Sequence, residues 1–179
     1  MLSILYTGGL LANQQQSIGT SSMGGYISLT PIPNGRANSL FSDTCYYQKN
    51  TTECRLIGIK AQAAVTSLQI WINNQDPLVS YEVAVVAPTA DVCGDLCFEK
   101  LSKSSDIPLY AVFTETNINT PIIIGNLVVN QIIGLWIKRT YDSNSLVAIE
   151  NRSCEVLSML PDTVPTSIQK TFSIEFDFT

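Results

Sequence analysis

Apolar and polar residues alternate along most of this chain in short runs with a period of two, the pattern of half-buried β-strands. Tyr26, Ile27, Ser28, Leu29 and Thr30 form one run, and the turn residues Pro31, Pro33, Asn34 and Gly35 follow it. Cys54, Leu56, Gly58 and Lys60 alternate with Arg55, Ile57 and Ile59, and further on Leu68, Ile70 and Ile72 alternate with Gln69 and Trp71. A run over residues 81–86 stops short of Pro88, which has no N–H to give a central ladder. More strands are expected over residues 110–113, 122–124, 135–139, 146–149 and 171–178. In the last of these, Phe172, Ile174, Phe176 and Phe178 share one face while Ser173, Glu175 and Asp177 share the other, as in a strand covering a core. Helix-like spacing is confined to residues 95–102. About nine short strands separated by turn signals predict an all-β fold, an antiparallel β-sandwich of immunoglobulin-like or jelly-roll type.

Residues 1–23 read differently. Leu2, Ile4, Leu5 and Tyr6 are apolar, and Asn13, Gln14, Gln15, Gln16 and a cluster of Ser, Gly and Thr follow as far as Gly24 and Gly25. Such a polar, glycine-rich stem cannot bury enough surface to fold alone. It predicts an extended N-terminal arm over residues 1–23, with Leu2, Ile4, Leu5 and Tyr6 as a tip that contacts a neighbouring subunit, ahead of a β-sandwich domain over residues 24–179. The competing expectation is an edge strand folded back on its own domain. No basic segment precedes the apolar start and Gly8-Gly9 interrupts it, so no secretion signal is expected. Residues 121–137 are the most apolar stretch, but Pro121, Gly125, Asn126, Asn130, Gln131 and Gly134 break the roughly 20 apolar residues that a membrane span requires. A buried pair of strands is expected there.

Composition moves the question from fold to association. A chain of 179 residues is long enough for one good core. Only 14% of its residues are charged, against roughly 25% in ordinary soluble domains, and a surface so weakly charged is poorly defended against association. A subunit packed against neighbours has that character; the alternative is a monomer with a neutral polar surface. The net charge of −5 and the scattering of the ten basic residues speak against nucleic acid as a partner, because phosphate contacts need clustered Lys and Arg. Lys138 and Arg139 stand side by side in a strand and would point to opposite faces. With no basic amphipathic helix, no membrane-surface role is expected.

The chemistry a catalyst needs is thinly represented. The chain has no histidine, hence no Ser-His-Asp or Cys-His arrangement, and no glycine-rich phosphate-binding motif. No catalytic residue and no cofactor is assigned. Five cysteines cannot all pair internally, which points to a reducing compartment. Cys93 and Cys97 form a C-x3-C beside Asp91 and Asp95, but the spacing is loose for zinc and the remaining cysteines are not at ligand spacing. They read as ordinary loop or core cysteines, and no metal site is assigned. Asp91, Asp95, Glu99 and Asp106 cluster in a Ser- and Lys-rich loop and read as a solvated, partly salt-bridged surface rather than a glycosidase pair. Asn50-Thr51-Thr52 and Asn151-Arg152-Ser153 match the glycosylation pattern by chance in an Asn- and Ser-rich chain. Trp71 and Trp136 lie within alternating strands, where packing is the usual role.

The run GGYISLTPIPNGRANSLFSD, followed by a polar hairpin and then ECRLIGIKAQ and TSLQIWI, resembles a set of tailed-bacteriophage virion structural proteins. The resemblance covers residues 24–72 and resumes at GLWIKRT, residues 134–140. Cys54 replaces the aromatic residue that tends to precede the arginine, the polar tail beyond Thr140 is long, and the N-terminal arm has no counterpart. The motif residues look structural: Asn34-Gly35 suits a turn with positive φ, Leu40 and Phe41 would enter the core, and Asp43 would cap a turn. The resemblance implies a non-enzymatic component of a virion, in its connector, collar, tail or capsid surface, assembled in the bacterial cytoplasm. Its partners would be other copies of itself and other virion proteins. The alternative is a carbohydrate-binding or host-recognition module of a phage particle, with glycan stacked on Trp71 and Trp136.

Overall fold

The computed structural model describes residues 2–9, 22–32, 41, 52–73, 79–141 and 173–177. Its strands are β1 (Leu2–Gly9), β2 (Gly25–Pro31), β3 (Thr52–Ala61), β4 (Val65–Asn73), β5 (Val79–Val86), β6 (Thr89–Ala90), β7 (Leu96–Phe98), β8 (Thr114–Glu115), β9 (Ile122–Leu127), β10 (Ile132–Tyr141) and β11 (Ser173–Asp177). They form an eight-stranded sheet in the order β6-β7-β2-β1-β3-β10-β5-β8 and a three-stranded sheet in the order β11-β4-β9. Every strand pair is antiparallel, and among the described residues there is no helix. The all-β, antiparallel class expected from the alternation is thus what the chain forms.

At the centre of the larger sheet β3 lies between β1 and β10. Pairing with β10 runs without a break from Ile132↔Lys60 to Thr140↔Thr52. One face of the pair presents Ile57, Ile59, Ile133, Leu135 and Ile137, which share a core with Val65, Leu68, Ile70 and Ile72 of β4. The opposite face presents Leu56 and Trp136, which pack with Ala84, Phe98 and Leu101. Both faces of β3 and β10 are therefore covered, and these strands are buried almost continuously. The β4 strand has one buried face only, and there the alternation survives.

Two glycines shape the second face. Gly58 and Gly134 are direct partners across β3 and β10. A Cβ on Gly134 would stand 2.6 Å from a Phe98 ring carbon and 2.8 Å from Val86 Cγ2, so the ring seats where a side chain is missing. The N-terminal end of β3 is completed from the chain itself: Leu56 N–H donates to the Ser22 carbonyl at 2.7 Å and Cys54 N–H to the Ser104 carbonyl at 2.7 Å. Met23 O accepts from Leu101 N–H at 2.8 Å, and this close approach is open only to glycine at position 24. There φ is +85° and a Cβ would lie 1.7 Å from the Glu99 carbonyl oxygen.

Several sequence expectations need correction. Residues 2–9, expected at the tip of an extended arm, form β1 inside the larger sheet, paired to both β2 and β3. Leu5 and Tyr6 are buried, and Leu2 and Ile4 pack against the core shared with the smaller sheet, so the chain's own core uses the apolar tip. The helix-like stretch 95–102 is the short strand β7 and the segment after it. Residues 110–113 are not a strand. The expected pair within 121–137 exists as β9 and β10, but they belong to different sheets, and β9 is partly exposed. The strand over 146–149, the turn at Asn34-Gly35 and the residues Leu40, Asp43, Cys45 and Cys154 lie outside the described residues.

The glycine geometry sets an order of tolerance. Gly94→Ala meets nothing within 4 Å but must hold a φ of +86°, a cost of about 1–2 kcal/mol. Gly134→Ala should lose about 1–3 kcal/mol through overpacking. Gly24→Ala adds a backbone clash to the strained φ and should be the most damaging of the three. Urea unfolding of the three variants checks the ranking.

Candidate functional site

Charged side chains enter the core where β3 begins and β10 ends. Arg139 is the register partner of Glu53 and, on its other side, of Tyr81. Arg139 Nη2 forms an ion pair with Glu53 Oε2, while Arg55 Nη2 lies 3.5 Å from Glu53 Oε1. All three residues are buried. The Phe41 ring covers them, with its centroid 4.5 Å from Arg139 Cζ and 5.9 Å from Arg55 Cζ, and meets Tyr81 edge-on at 6.2 Å. Guanidinium planes over an aromatic face gain cation–π attraction, which offsets part of their desolvation. The pleat sends Lys138 to the other face, where it pairs with Glu82 and lies 5.0 Å from the Phe113 centroid. The opposite-face placement of Lys138 and Arg139 thus follows the sequence reading. The burial of Arg139 against Glu53 had no signal in a single sequence.

Three of the four clustered acidic residues, Asp91, Glu99 and Asp106, serve the backbone. Asp91 closes the turn between β6 and β7: its Oδ1 accepts from Cys93 N–H at 2.8 Å and from Asp95 N–H at 2.9 Å. Its Oδ2 accepts from the Tyr26 hydroxyl at 2.5 Å, tying the turn to β2. Both Glu99 carboxylate oxygens accept from Leu109 N–H at 3.0 Å, and Asp106 Oδ2 accepts from Lys103 N–H at 2.9 Å. The expected salt-bridged surface is, for Asp91, Glu99 and Asp106, a set of backbone anchors. The Tyr26 phenol is pushed up to about 12, first by its hydrogen bond to Asp91 and then by desolvation. The same hydrogen bond is the largest cause holding the Asp91 carboxyl below its ordinary range.

Cys54 is buried between the sheet and its cover, and burial pushes its thiol up to about 11, far from the thiolate that a nucleophile requires. Cys93 is exposed in the turn and Cys97 is partly buried on β7. Among the described residues no three His, Cys, Asp or Glu side chains come together as a metal-holding group. Trp136 is 1% exposed, closed to a stacking sugar, while Trp71 is partly exposed on the outer face of β4. A cavity of about 510 Å³ lies over the β1, β2 and β3 strands, with Lys60 and Asp95 as the charged members of its lining.

The feature most suited to a partner is the segment after β7. Pro108 is buried, and Ala111 and Phe113 pack against the cluster around Trp136. Between these anchors Leu109, Tyr110 and Val112 are 82%, 85% and 83% exposed, and Ile107 is also exposed. The Glu99 and Asp106 bonds hold the same segment. The result is an ordered loop that presents four apolar side chains outward, a recurrent mark of an interaction surface. The apolar run over 110–113 has the pattern of a strand, and an uninterrupted apolar run does not reveal which residues face out.

No family model, curated protein or solved structure matches this chain.

Two tests follow from the anchoring groups. Glu53→Ala leaves two buried guanidiniums without their carboxylate and should cost about 3–5 kcal/mol in chemical denaturation. The Tyr26–Asp91 bond should contribute stability that is complete below the ordinary tyrosine range near pH 10 and is lost as pH rises through about 12. At the acid end, the contribution of Asp91 is complete above its ordinary value of 3.8 and disappears as pH falls through its lowered value. A spectrophotometric tyrosine titration should show late-ionising phenols, Tyr6 raised by burial and Tyr26 by its bond to Asp91, and Asp91→Asn should lower the Tyr26 ionisation while leaving that of Tyr6.

Proposed function

We propose that this chain is a non-enzymatic structural subunit of a tailed-phage virion, assembling in multiple copies and with other virion proteins. The observation that carries the assembly reading is the anchored loop with Ile107, Leu109, Tyr110 and Val112 facing outward. Fully burying side chains of this kind is worth about 1.5–3 kcal/mol each, and a contact repeated around a closed ring closes cooperatively. The low charged fraction of 14% removes much of the repulsion that would oppose it.

The resemblance to phage virion proteins is carried by residues that build the fold. Its glycine pair is the close approach at Gly24 and the start of β2, its ECRLIGIKA and SLQIWI runs are β3 and β4, and its GLWIKRT run is β10. A motif made of core strands and a steric glycine suits a scaffold. We read the two sheets, with their shared core, as a β-sandwich of immunoglobulin-like or jelly-roll type. A carbohydrate-binding role would need exposed tryptophans on one surface, and Trp136 is inside the protein.

The test is direct. Mass spectrometry of purified particles of the phage that encodes this chain should find it in many copies per particle, and absence from them would overturn the reading. In the full chain, Leu109→Asp combined with Val112→Asp should abolish its incorporation with little change in melting temperature, since both residues are exposed in the subunit.

A further inference from the structure

The β9 strand is one of the two outer strands of the smaller sheet, and among the described residues no strand pairs with its second edge. An outer strand displays unpaired N–H and C=O groups, and soluble proteins usually blunt such an edge with charge, an internal proline or a covering segment. Charge is missing here to an unusual degree: from Thr116 through Ile137 there is no Asp, Glu, Lys or Arg. Pro121 stands before the strand and not within it. Ile123 is 74% exposed on the outer face, in register with Gln69, and Val128 and Val129 are exposed just beyond the strand.

We propose that a second copy of this chain pairs with β9, antiparallel and about a two-fold axis, so that two three-stranded sheets become one continuous sheet. The charge pattern selects this occupant. At a two-fold axis each residue lies close to its own copy, so any charged side chain there meets a like charge; a neutral edge is complementary to itself. The far end of the larger sheet shows the opposite design. There β8 sets Glu115 directly against Glu82, and a second copy would bring more carboxylates to the same place. Register shifts disturb the β4 pairing on the Leu68 side of Gln69, opposite Gly125, whereas Gln69↔Ile123 and Ile70↔Ile122 are regular. The axis therefore belongs near Ile123. The contact is independent of the virion reading, because a free homodimer would satisfy it.

The experiment is sedimentation equilibrium of the full chain across a concentration series, combined with hydrogen exchange at those amides of residues 122–124 that face away from β4. The expected result is a monomer–dimer equilibrium, with protection of those amides rising as dimer forms. Ile123→Lys should weaken the dimer by about tenfold or more, equivalent to about 1.4 kcal/mol, with the melting temperature of the monomer unchanged. Leu109→Asp, on a different surface, should leave this equilibrium as it is. The proposal is overturned by a monomer at every concentration, including one in which these amides are protected regardless of concentration because another segment of the chain covers the edge. A dimer indifferent to Ile123→Lys overturns it equally.

Discussion

The unbroken pairing of β3 with β10 is the constraint on which the rest of the structure depends. It runs from Ile132↔Lys60 to Thr140↔Thr52 with both faces covered, so its register sets two layers of packing at once. A slip of β3 by one residue would exchange its faces: Glu53 and Arg55 would be driven against the Trp136 cluster, and Leu56 toward the smaller sheet. Specific fixtures oppose that slip at the two ends. At one end the buried ion pair of Arg139 with Glu53 is satisfied only in the native register. At the other, Gly58 opposite Gly134 leaves the space that the Phe98 ring fills. Buried ion pairs contribute little net stability against well-packed apolar residues, so the ion cluster is better understood as fixing register than as strengthening the fold.

The legible parts of the sequence are those where one residue pattern has one structural meaning. Alternation in residues 68–72 gives β4 because that strand has one buried face, and Pro88 marks the end of β5 at Val86. The β1 strand was harder to read because it uses both faces. Leu2, Ile4 and Tyr6 pack toward the smaller sheet, while the Thr7 hydroxyl, fully buried, donates to the Leu56 carbonyl at 2.8 Å. A polar stem after an apolar start then looks like an arm. Around residues 95–102 the turn chemistry of Asp91 prevails over a local helical spacing, because its carboxylate takes two backbone N–H groups and folds β6 back on β7.

The candidate interaction surface was the least legible, for a related reason. In the segment ending at Phe113 alternation is present, with Ala111 and Phe113 turned inward and Tyr110 and Val112 outward. Since both sets are apolar, the polar residues that normally label the solvent side are missing, and direction cannot be read. The Glu53, Arg55 and Arg139 cluster illustrates the converse: charged residues in strands conventionally mark the surface, and here they are inside.

These two inversions have a common origin in how few charges the chain carries. With 14% of residues charged, several of those in the described region are engaged in holding the fold. Glu53, Arg55 and Arg139 are in the core, Lys138 pairs with Glu82, and Asp91, Glu99 and Asp106 hold backbone N–H groups. On the cover over the larger sheet the exposed charges are Lys100 and Lys103, ahead of the apolar loop, and the edge of the smaller sheet carries none from Thr116 through Ile137. The cover must turn Phe98, Leu101 and Phe113 inward to seal the Trp136 face, and its outward residues are then free to be apolar or polar with little effect on the subunit's own stability. That they are apolar is therefore not dictated by the packing of the subunit itself.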